Sequence, residues 1–173
     1  MLELKNICRN ISSPRLSQIE ILQGKGIAGN TQQILKDINL RINEGEFFSL
    51  LGPSGCGKTS LLKIISGIDQ ASSGELRLKL PHEEEPRLIN TLPSQQRPFH
   101  MVFQKHALFP HLNVFDNVAF GLRMKKVSSS DIAVRVKEIL RLVDLDGFER
   151  RHPESLSGGQ SQRVALARAV VNR

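Results

Sequence analysis

The sequence predicts an α/β fold, and three patterns along the chain indicate this class. Residues 2–7 and 38–42 alternate apolar and polar side chains, which is the two-residue period of a half-buried strand. Residues 47–51 are apolar on both faces, as is typical of a central strand in a mostly parallel sheet. Apolar residues then recur at helical spacing within 58–66, and Gly67 predicts the end of that helix.

The middle of the chain predicts further strands joined by irregular connections. Residues 12–31 are rich in Ser, Gly and Gln, which indicates a loop or a variable hairpin. A strand is expected at 75–80, and the proline-rich stretch 81–98 with its acidic run is expected to be an exposed connection. Residues 101–103 predict a short buried strand.

Three helices are predicted in the last third of the chain, each preceded by a residue type that caps helix starts. Asn113 is expected to cap the first of them and Ser130 the second. Ser157 is placed to cap a third helix, which continues to the last residue, Arg173.

The composition excludes several classes of protein. The chain has 173 residues, of which 39% are hydrophobic and 24% charged, as in an ordinary globular domain. Its longest apolar runs fall far short of the roughly 20 residues that a membrane-spanning helix needs, and its first residues lack the order of a signal peptide. We therefore expect a cytoplasmic location.

Charge and cysteine content narrow the choice of partners and metals. The net charge of +7 invites a nucleic-acid interpretation, but the basic residues are scattered and the chain has no Trp or Tyr on which bases could stack. We therefore expect no nucleic-acid partner. Cys8 and Cys56 do not have the spacing of a zinc site or of a disulfide framework.

Residues 52–59, here called the phosphate loop, fit the pattern G-x-x-x-x-G-K-T between a predicted strand and a predicted helix. The glycines let successive backbone N–H groups face one concavity, at the positive end of the following helix. Lys58 can reach the β- and γ-phosphates of a nucleotide, and the Thr59 hydroxyl can bind Mg²⁺. A plain glycine-rich turn is the alternative, but it gives the Lys and the Thr no purpose. The expected phosphate-binding residues are Gly52, Pro53, Ser54, Gly55, Cys56, Gly57, Lys58, Thr59 and Ser60.

A phosphate loop alone admits a small GTPase, a nucleotide kinase or a transport ATPase. A GTPase could use the D-x-x-G at 144–147, but the chain has no Asn-Lys dipeptide to recognise guanine. A nucleotide kinase gives no reason for the signature segment, residues 156–160. There Ser157 can cap a helix, while Gly158 and Gly159 allow a second anionic group to approach the helix start, and Gln160 follows. The chain therefore carries two separate phosphate-facing sites.

With these two motifs the sequence resembles the ATP-binding subunits of ABC transporters. The signature segment matches the signature motif of that family, and Gln104 in Val-Phe-Gln matches its Q-loop glutamine. Residues 101–123 are similar to the importer branch that serves polyamines, ferric iron, sulfate and maltose, and residues 167–173 favour spermidine/putrescine importers. The fold class that this resemblance implies is a P-loop NTPase core with a β-rich N-terminal part and a helical subdomain, incomplete at its C-terminus.

The resemblance also implies how the parts would work. ATP would be held between the phosphate loop of one subunit and Ser157, Gly158, Gly159 and Gln160 of a second ATP-binding subunit in a head-to-tail dimer. Thr59 and Gln104 would bind Mg²⁺, and Gln104 would also contact the attacking water. Residues 1–104 would form the nucleotide-binding core, 105–155 the helical subdomain and 156–173 the signature motif with its helix. The expected partners are transmembrane permease subunits and a solute-binding protein, at the cytoplasmic face of the membrane.

The chain departs from the family pattern in two ways. No aromatic residue precedes Phe47, so adenine stacking would have to be replaced by contact with Ile11, Leu16 or Ile21. The family's Mg²⁺-binding Asp, catalytic Glu and γ-phosphate-sensing His would all follow Arg173, and Asp144 is rejected as a substitute because the residues before it keep helical spacing. Two functions therefore stay open at the level of sequence, an importer ATPase and a truncated nucleotide-binding module that does not hydrolyse ATP.

Overall fold

A computed structural model describes residues 1–13, 30–103 and 107–172, which fall into two compact units, Met1–Phe99 and His100–Arg173. The first unit holds all the described strands and one α-helix, and the second holds three α-helices. The α/β class predicted from the sequence is confirmed. Each unit has its own apolar core.

The first unit is built on a four-stranded antiparallel sheet. Its strands are β1 (Leu2–Ser13), β2 (Asn30–Ile42), β3 (Ser73–Leu78) and β4 (Arg87–Leu88), in the order β2-β1-β3-β4. Leu4 of β1 lies opposite Leu40 on one side and Leu76 on the other, so apolar residues line one face of the sheet.

Helix α1 (Lys58–Ser66) packs on the sheet of the first unit. It ends at Gly67, which adopts the left-handed conformation with φ 76° and donates its N–H to the Ile64 carbonyl, as the sequence predicts. The core that α1 and the sheet share consists of Leu2, Leu4, Ile7, Leu35, Leu61, Ile64, Ile65, Leu76, Leu78 and Ile89.

Two strands predicted from the sequence are wrong. Residues 47–51 are irregular, and Phe47 and Leu51 have 94% and 92% of their surface exposed. Residues 101–103 are irregular as well, with Val102 and Phe103 exposed. A buried strand needs hydrogen-bonded neighbours and a covered face. Within the described parts of the chain, the sheet ends at β2 and β4, and neither edge pairs with these residues.

The stretch 12–31, predicted as a loop or a variable hairpin, is described only at its ends. There Ser12 and Ser13 pair antiparallel with Thr31 and Asn30 and extend β1 and β2, as the hairpin alternative predicts. Residues 14–29 lie outside the described residues, as do Leu16 and Ile21, two of the candidates for adenine contact. Ile11, the third candidate, is on β1 opposite Gln32 and is exposed.

The connection 81–98 contains strand β4 and a short 3₁₀ helix, Ser94–Gln96. Ile89 and Arg97 are buried rather than exposed, so this part of the prediction is wrong. The burial has a clear cause for Ile89, which joins the core beneath the sheet.

The second unit consists of helices α2 (Val114–Met124), α3 (Ser129–Leu142) and α4 (Gly158–Val170), with a short 3₁₀ helix at Pro153–Ser155. Asn113 caps α2 through its side-chain oxygen, as predicted. The predicted cap of α3 is wrong by two positions, because Ser128 and not Ser130 accepts the Asp131 N–H. The core residues are Val114, Val118, Ala119, Leu122, Ile132, Val136, Ile139, Leu140, Leu145, Val164, Ala167 and Val171.

One buried amide shapes the loop that enters α2. The Asn117 side chain is fully buried, and its oxygen accepts the N–H of Phe109 at 2.8 Å. Its nitrogen donates to the carbonyls of Phe109, Leu112 and Asn113 at 2.9–3.1 Å. Because the Asn117 amide itself is fully buried, it fixes the loop more firmly than an exposed amide would.

Candidate functional site

The phosphate loop leads into a helix start whose backbone donors are open. Helix α1 begins at Lys58, and its N-cap is Gly57, with φ 93°. Within the described residues no side chain caps this start, and the first turn contains Lys58, Thr59 and Ser60 in place of an acidic residue. The first N–H groups of a helix need an acceptor, and the helix dipole favours a negative one. This geometry suits an external anion.

Gly57 holds the phosphate loop close to strand β2. A Cβ at this position would lie 2.6 Å from Cδ2 of Leu35 and 3.2 Å from the Ile34 carbonyl oxygen. Leu35 is a buried core residue, so it has little room to move. Glycine is therefore required here both by the positive φ and by the contact with β2. Gly55 also has a positive φ, 84°, but a Cβ there would meet no described atom within 4 Å.

Lys58 folds its side chain back over the phosphate loop. Its ammonium donates to the Gly52 carbonyl at 2.6 Å and to the Pro53 carbonyl at 2.8 Å, and it lies 3.5 Å from Sγ of Cys56. The cation is thus held on the loop itself, close to the backbone of the residues expected to bind phosphate. A bound phosphate would replace neutral carbonyl partners with charged ones, and charge-assisted hydrogen bonds are the stronger kind.

The signature segment forms a helix start of a different kind. Ser157 accepts the Gln160 N–H at 3.3 Å, and the Gln160 side chain accepts the Ser157 N–H at 2.9 Å. This capping box satisfies two backbone donors and fixes the first turn of α4. Gly158 and Gly159 lie between these two residues and are exposed, and a Cβ on either would meet no described atom within 4 Å. Their backbone is therefore accessible to a group as large as a phosphate.

Asp144 lies in the second unit, in the turn that follows α3. Its φ is 55°, and its side chain is 91% exposed. Arg163 of α4 donates to the carbonyls of Val143 and Asp144 at 3.1 and 3.3 Å. A cation at the carboxyl end of a helix is favourable, so Arg163 has a structural reason for its position. Asp144 therefore does not end a buried strand, as the helical spacing before it predicts.

The structure places the described site residues in two groups, one in each unit. Residues 52–60 lie together in the first unit, and residues 157–160 lie together at the start of α4 in the second unit. Gln104 is outside the described residues, so its predicted role stays a prediction.

One hydroxyl group at the phosphate loop, that of Thr59, is suited to bind Mg²⁺. The Thr59 side chain is exposed in the first turn of α1, where a metal bound to nucleotide phosphates could reach it. The described part of the chain contains no group of three or more His, Cys, Asp or Glu side chains that could hold a metal ion. Mg²⁺ commonly binds to one or two protein groups together with substrate phosphates and waters, which matches such a donor set.

Arg97 is the residue of this region that sequence reasoning missed. It is 6% exposed, and its guanidinium reaches the carboxyl end of α1. Burial lowers the pKa of Arg97 from its ordinary value, because desolvation disfavours the charged form. No local pattern distinguishes this arginine from an exposed one in a proline-rich connection, so only the fold reveals it.

Comparison with known proteins gives matches along most of the chain. A family model described as ABC transporter matches residues 35–173. The spermidine/putrescine import ATP-binding protein PotA of Clostridium novyi is 53% identical over 143 residues, which are 83% of this chain and 40% of the relative. The PotA protein of Legionella pneumophila strain Paris is 52% identical over 155 residues, 90% of this chain and 41% of the relative. The chain thus spans about two fifths of the length of these relatives.

A solved structure is similar to the chain in three dimensions as well. The dimeric, post-hydrolysis ATP-binding cassette MJ0796 bound to ADP and Pi superposes with a TM-score of 0.79 at 32% sequence identity. The match covers 99% of this chain and 70% of that one. Among the described residues, no helix is both long and apolar enough to cross a membrane.

Two of the glycines in the phosphate loop, Gly57 and Gly55, provide a matched pair for testing its packing. Gly57→Ala should lower the free energy of unfolding by about 2–5 kcal/mol, since a left-handed residue with a Cβ costs about 1–2 kcal/mol and overpacking adds about 1–3. Gly55→Ala has only the conformational term and should lose about 1–2 kcal/mol. Urea unfolding followed by circular dichroism measures both. Equal losses would contradict the close contact between Gly57 and β2.

Proposed function

Because the chain belongs to the ABC transporter family, we propose that it is the ATP-binding part of an importer subunit that binds Mg-ATP on its phosphate loop. The observation that carries this proposal is the open start of α1, where Gly57 replaces a capping side chain and the Lys58 ammonium lies against the loop. An anionic ligand gains from the helix dipole, from unpaired N–H groups and from the lysine at the same point.

In this proposal the nucleotide is ATP, bound together with Mg²⁺. The Lys58 ammonium turns from the Gly52 and Pro53 carbonyls to the β- and γ-phosphates, while the N–H groups at the start of α1 donate to the same phosphates. Thr59 and Gln104 would hold Mg²⁺, which neutralises part of the phosphate charge when bound. Support for a nucleotide comes from the MJ0796 cassette, whose structure contains ADP and Pi.

Two chains would bind ATP between them, head to tail. The signature segment supports this arrangement because its capping box is complete within the chain, which leaves Gly158 and Gly159 open toward an outside ligand. The chain has two helix starts that face anions, one in each unit. Both helix starts can act on the same nucleotide if a second copy of the chain supplies one of them. The dimeric state of the MJ0796 cassette is in keeping with this proposal.

The cargo of the proposed importer is a polyamine such as spermidine or putrescine. This part rests on the names of the relatives, which are spermidine/putrescine import ATP-binding proteins at 51–54% identity. In the proposed assembly the chain lies at the cytoplasmic face of the membrane and acts on transmembrane permease subunits, which receive their cargo from a solute-binding protein. The helical subdomain, residues 105–155, would contact the permease.

Lys58→Ala tests the proposed nucleotide site. The change leaves the backbone of the loop in place and removes the cation, whose charge-assisted contacts contribute about 1.5–3 kcal/mol each. Affinity for Mg-ATP should fall by at least about tenfold, as measured by isothermal titration calorimetry. Lys63→Ala, in the last turn of the same helix, is the control and should bind like the parent. Equal affinity of the parent and Lys58→Ala would refute the assignment.

Ser157→Arg tests the proposed head-to-tail arrangement. The long cation would fill the space beside Gly158 and Gly159, so it should block the self-association that a non-hydrolysable ATP analogue induces, by more than about tenfold in sedimentation experiments. Binding of the analogue to the monomer should remain within about twofold of the parent. Ser129→Arg, at the exposed start of α3, is the matched control.

The outcomes of this second experiment are distinct. If Ser157→Arg weakens monomer binding as much as Lys58→Ala does, both sites belong to one nucleotide within a single chain, and the head-to-tail arrangement is wrong. Association that proceeds normally in Ser157→Arg would also contradict it.

A further inference from the structure

Arg97 uses its planar guanidinium to join three segments of the first unit. Its Nε donates to the Leu92 carbonyl at 2.7 Å, and one terminal nitrogen donates to the carbonyls of Ile64 and Ile65 at 2.7 and 3.0 Å. The other terminal nitrogen donates to the Asn90 carbonyl at 3.0 Å. Every one of these acceptors is a backbone carbonyl, so the buried cation holds main chain and not a neighbouring side chain.

The carboxyl end of α1 is fitted closely around this guanidinium. Gly67 follows the last residue of the helix, and a Cβ on it would lie only 2.7 Å from Nε of Arg97. Two of the last carbonyls of α1 accept from Arg97, and the negative end of the helix dipole favours a cation there. The helix end and Arg97 therefore fix each other's position.

Asn90 extends the same network into the sheet. Its side-chain oxygen accepts the Leu76 N–H at 2.7 Å, and its side-chain nitrogen donates to the Gly74 carbonyl at 2.9 Å. Both partners belong to β3, whose residue Leu76 is in the core. The path from β3 through Asn90 and Arg97 to the end of α1 thus consists of hydrogen bonds between ordered, part-buried or buried groups.

We propose that Arg97 is a positioning residue for the phosphate loop: by anchoring the carboxyl end of α1 to β3, it sets the direction in which the start of α1 presents Gly57, Lys58 and Thr59 to a nucleotide. This inference rests on the proposed function. Helix α1 has nine residues and is about 13 Å long, so it behaves as a short rigid rod. The Leu61 N–H donates to the Gly57 carbonyl at 2.9 Å, which ties the loop directly to that rod.

The arginine at position 97 is explained better by a positioning role than by a contribution to stability alone. Burial takes the Arg97 guanidinium away from water, which disfavours its charged form and lowers its pKa. A buried ionic group can often be replaced by apolar residues without loss of stability. What an apolar side chain cannot supply is the rigid fork of donors that reaches four carbonyls in fixed directions.

The test is calorimetric titration of the whole chain with Mg-ATP, at a temperature where circular dichroism shows each variant to be folded. Arg97→Met should weaken binding by about tenfold, because small misplacements of binding groups have effects of this size or larger. Arg97→Lys keeps the charge but loses the fork, so it should bind between the parent and Arg97→Met. Arg87→Met, an exposed arginine on β4, is the matched control and should bind like the parent.

Asn90→Ala is the second variant, since it leaves Arg97 in place and removes only the two side-chain hydrogen bonds from Asn90 to β3. It should weaken binding by about threefold, less than Arg97→Met does, because the guanidinium still holds the carbonyls of α1. If Arg97→Met does not fold, Arg97→Lys and Asn90→Ala carry the test. Folded variants that bind Mg-ATP as tightly as the parent would overturn the inference and leave Arg97 a purely structural residue. A parent chain that does not bind Mg-ATP would instead overturn the proposed function.

Discussion

The close contact between Gly57 and strand β2 is the constraint from which the candidate nucleotide site follows. Only a residue without a Cβ can lie against Leu35 and the Ile34 carbonyl with a positive φ, and such a residue brings no side chain to cap the helix that it starts. The first turn of α1 therefore keeps its donors, and its lysine turns back onto the loop. Gly57 therefore accounts both for the close packing of the phosphate loop against the sheet and for the open anion site at the start of α1.

The start of α4 solves the same problem of unpaired donors in another way. There Ser157 and Gln160 satisfy each other's backbone N–H groups, so the helix is stable by itself and leaves only the glycines between them open. The capped start of α4, with its exposed glycines, suits contact with a ligand that another chain already holds. The uncapped start of α1, with its lysine, suits the first binding of the nucleotide. This difference is the structural reason for proposing two roles in place of two equivalent sites.

Local chemistry made part of this structure predictable from the sequence. The start of α1 at Lys58, its end at Gly67 and the caps at Asn113 and Ser157 follow from residues within a few positions of each other. At the start of α3, three consecutive serines, 128–130, offer similar caps, and the sequence does not distinguish them. The strand predicted at residues 47–51 is wrong because a strand depends on pairing with segments that are distant in the sequence. Arg97 was missed for the same reason, since its acceptors in α1 lie about thirty residues earlier.

Backbone amide hydrogen exchange, measured with and without Mg-ATP, tests the central claim most directly, because it observes the proposed donors themselves. At protein concentrations where the chain is monomeric, amides of residues 55–60 should exchange several-fold more slowly with nucleotide, while those of 157–159 should be unchanged. At concentrations where nucleotide induces association, residues 157–159 should become protected as well. No change at 55–60 on addition of Mg-ATP, or protection of 157–159 in the monomer, would contradict the account.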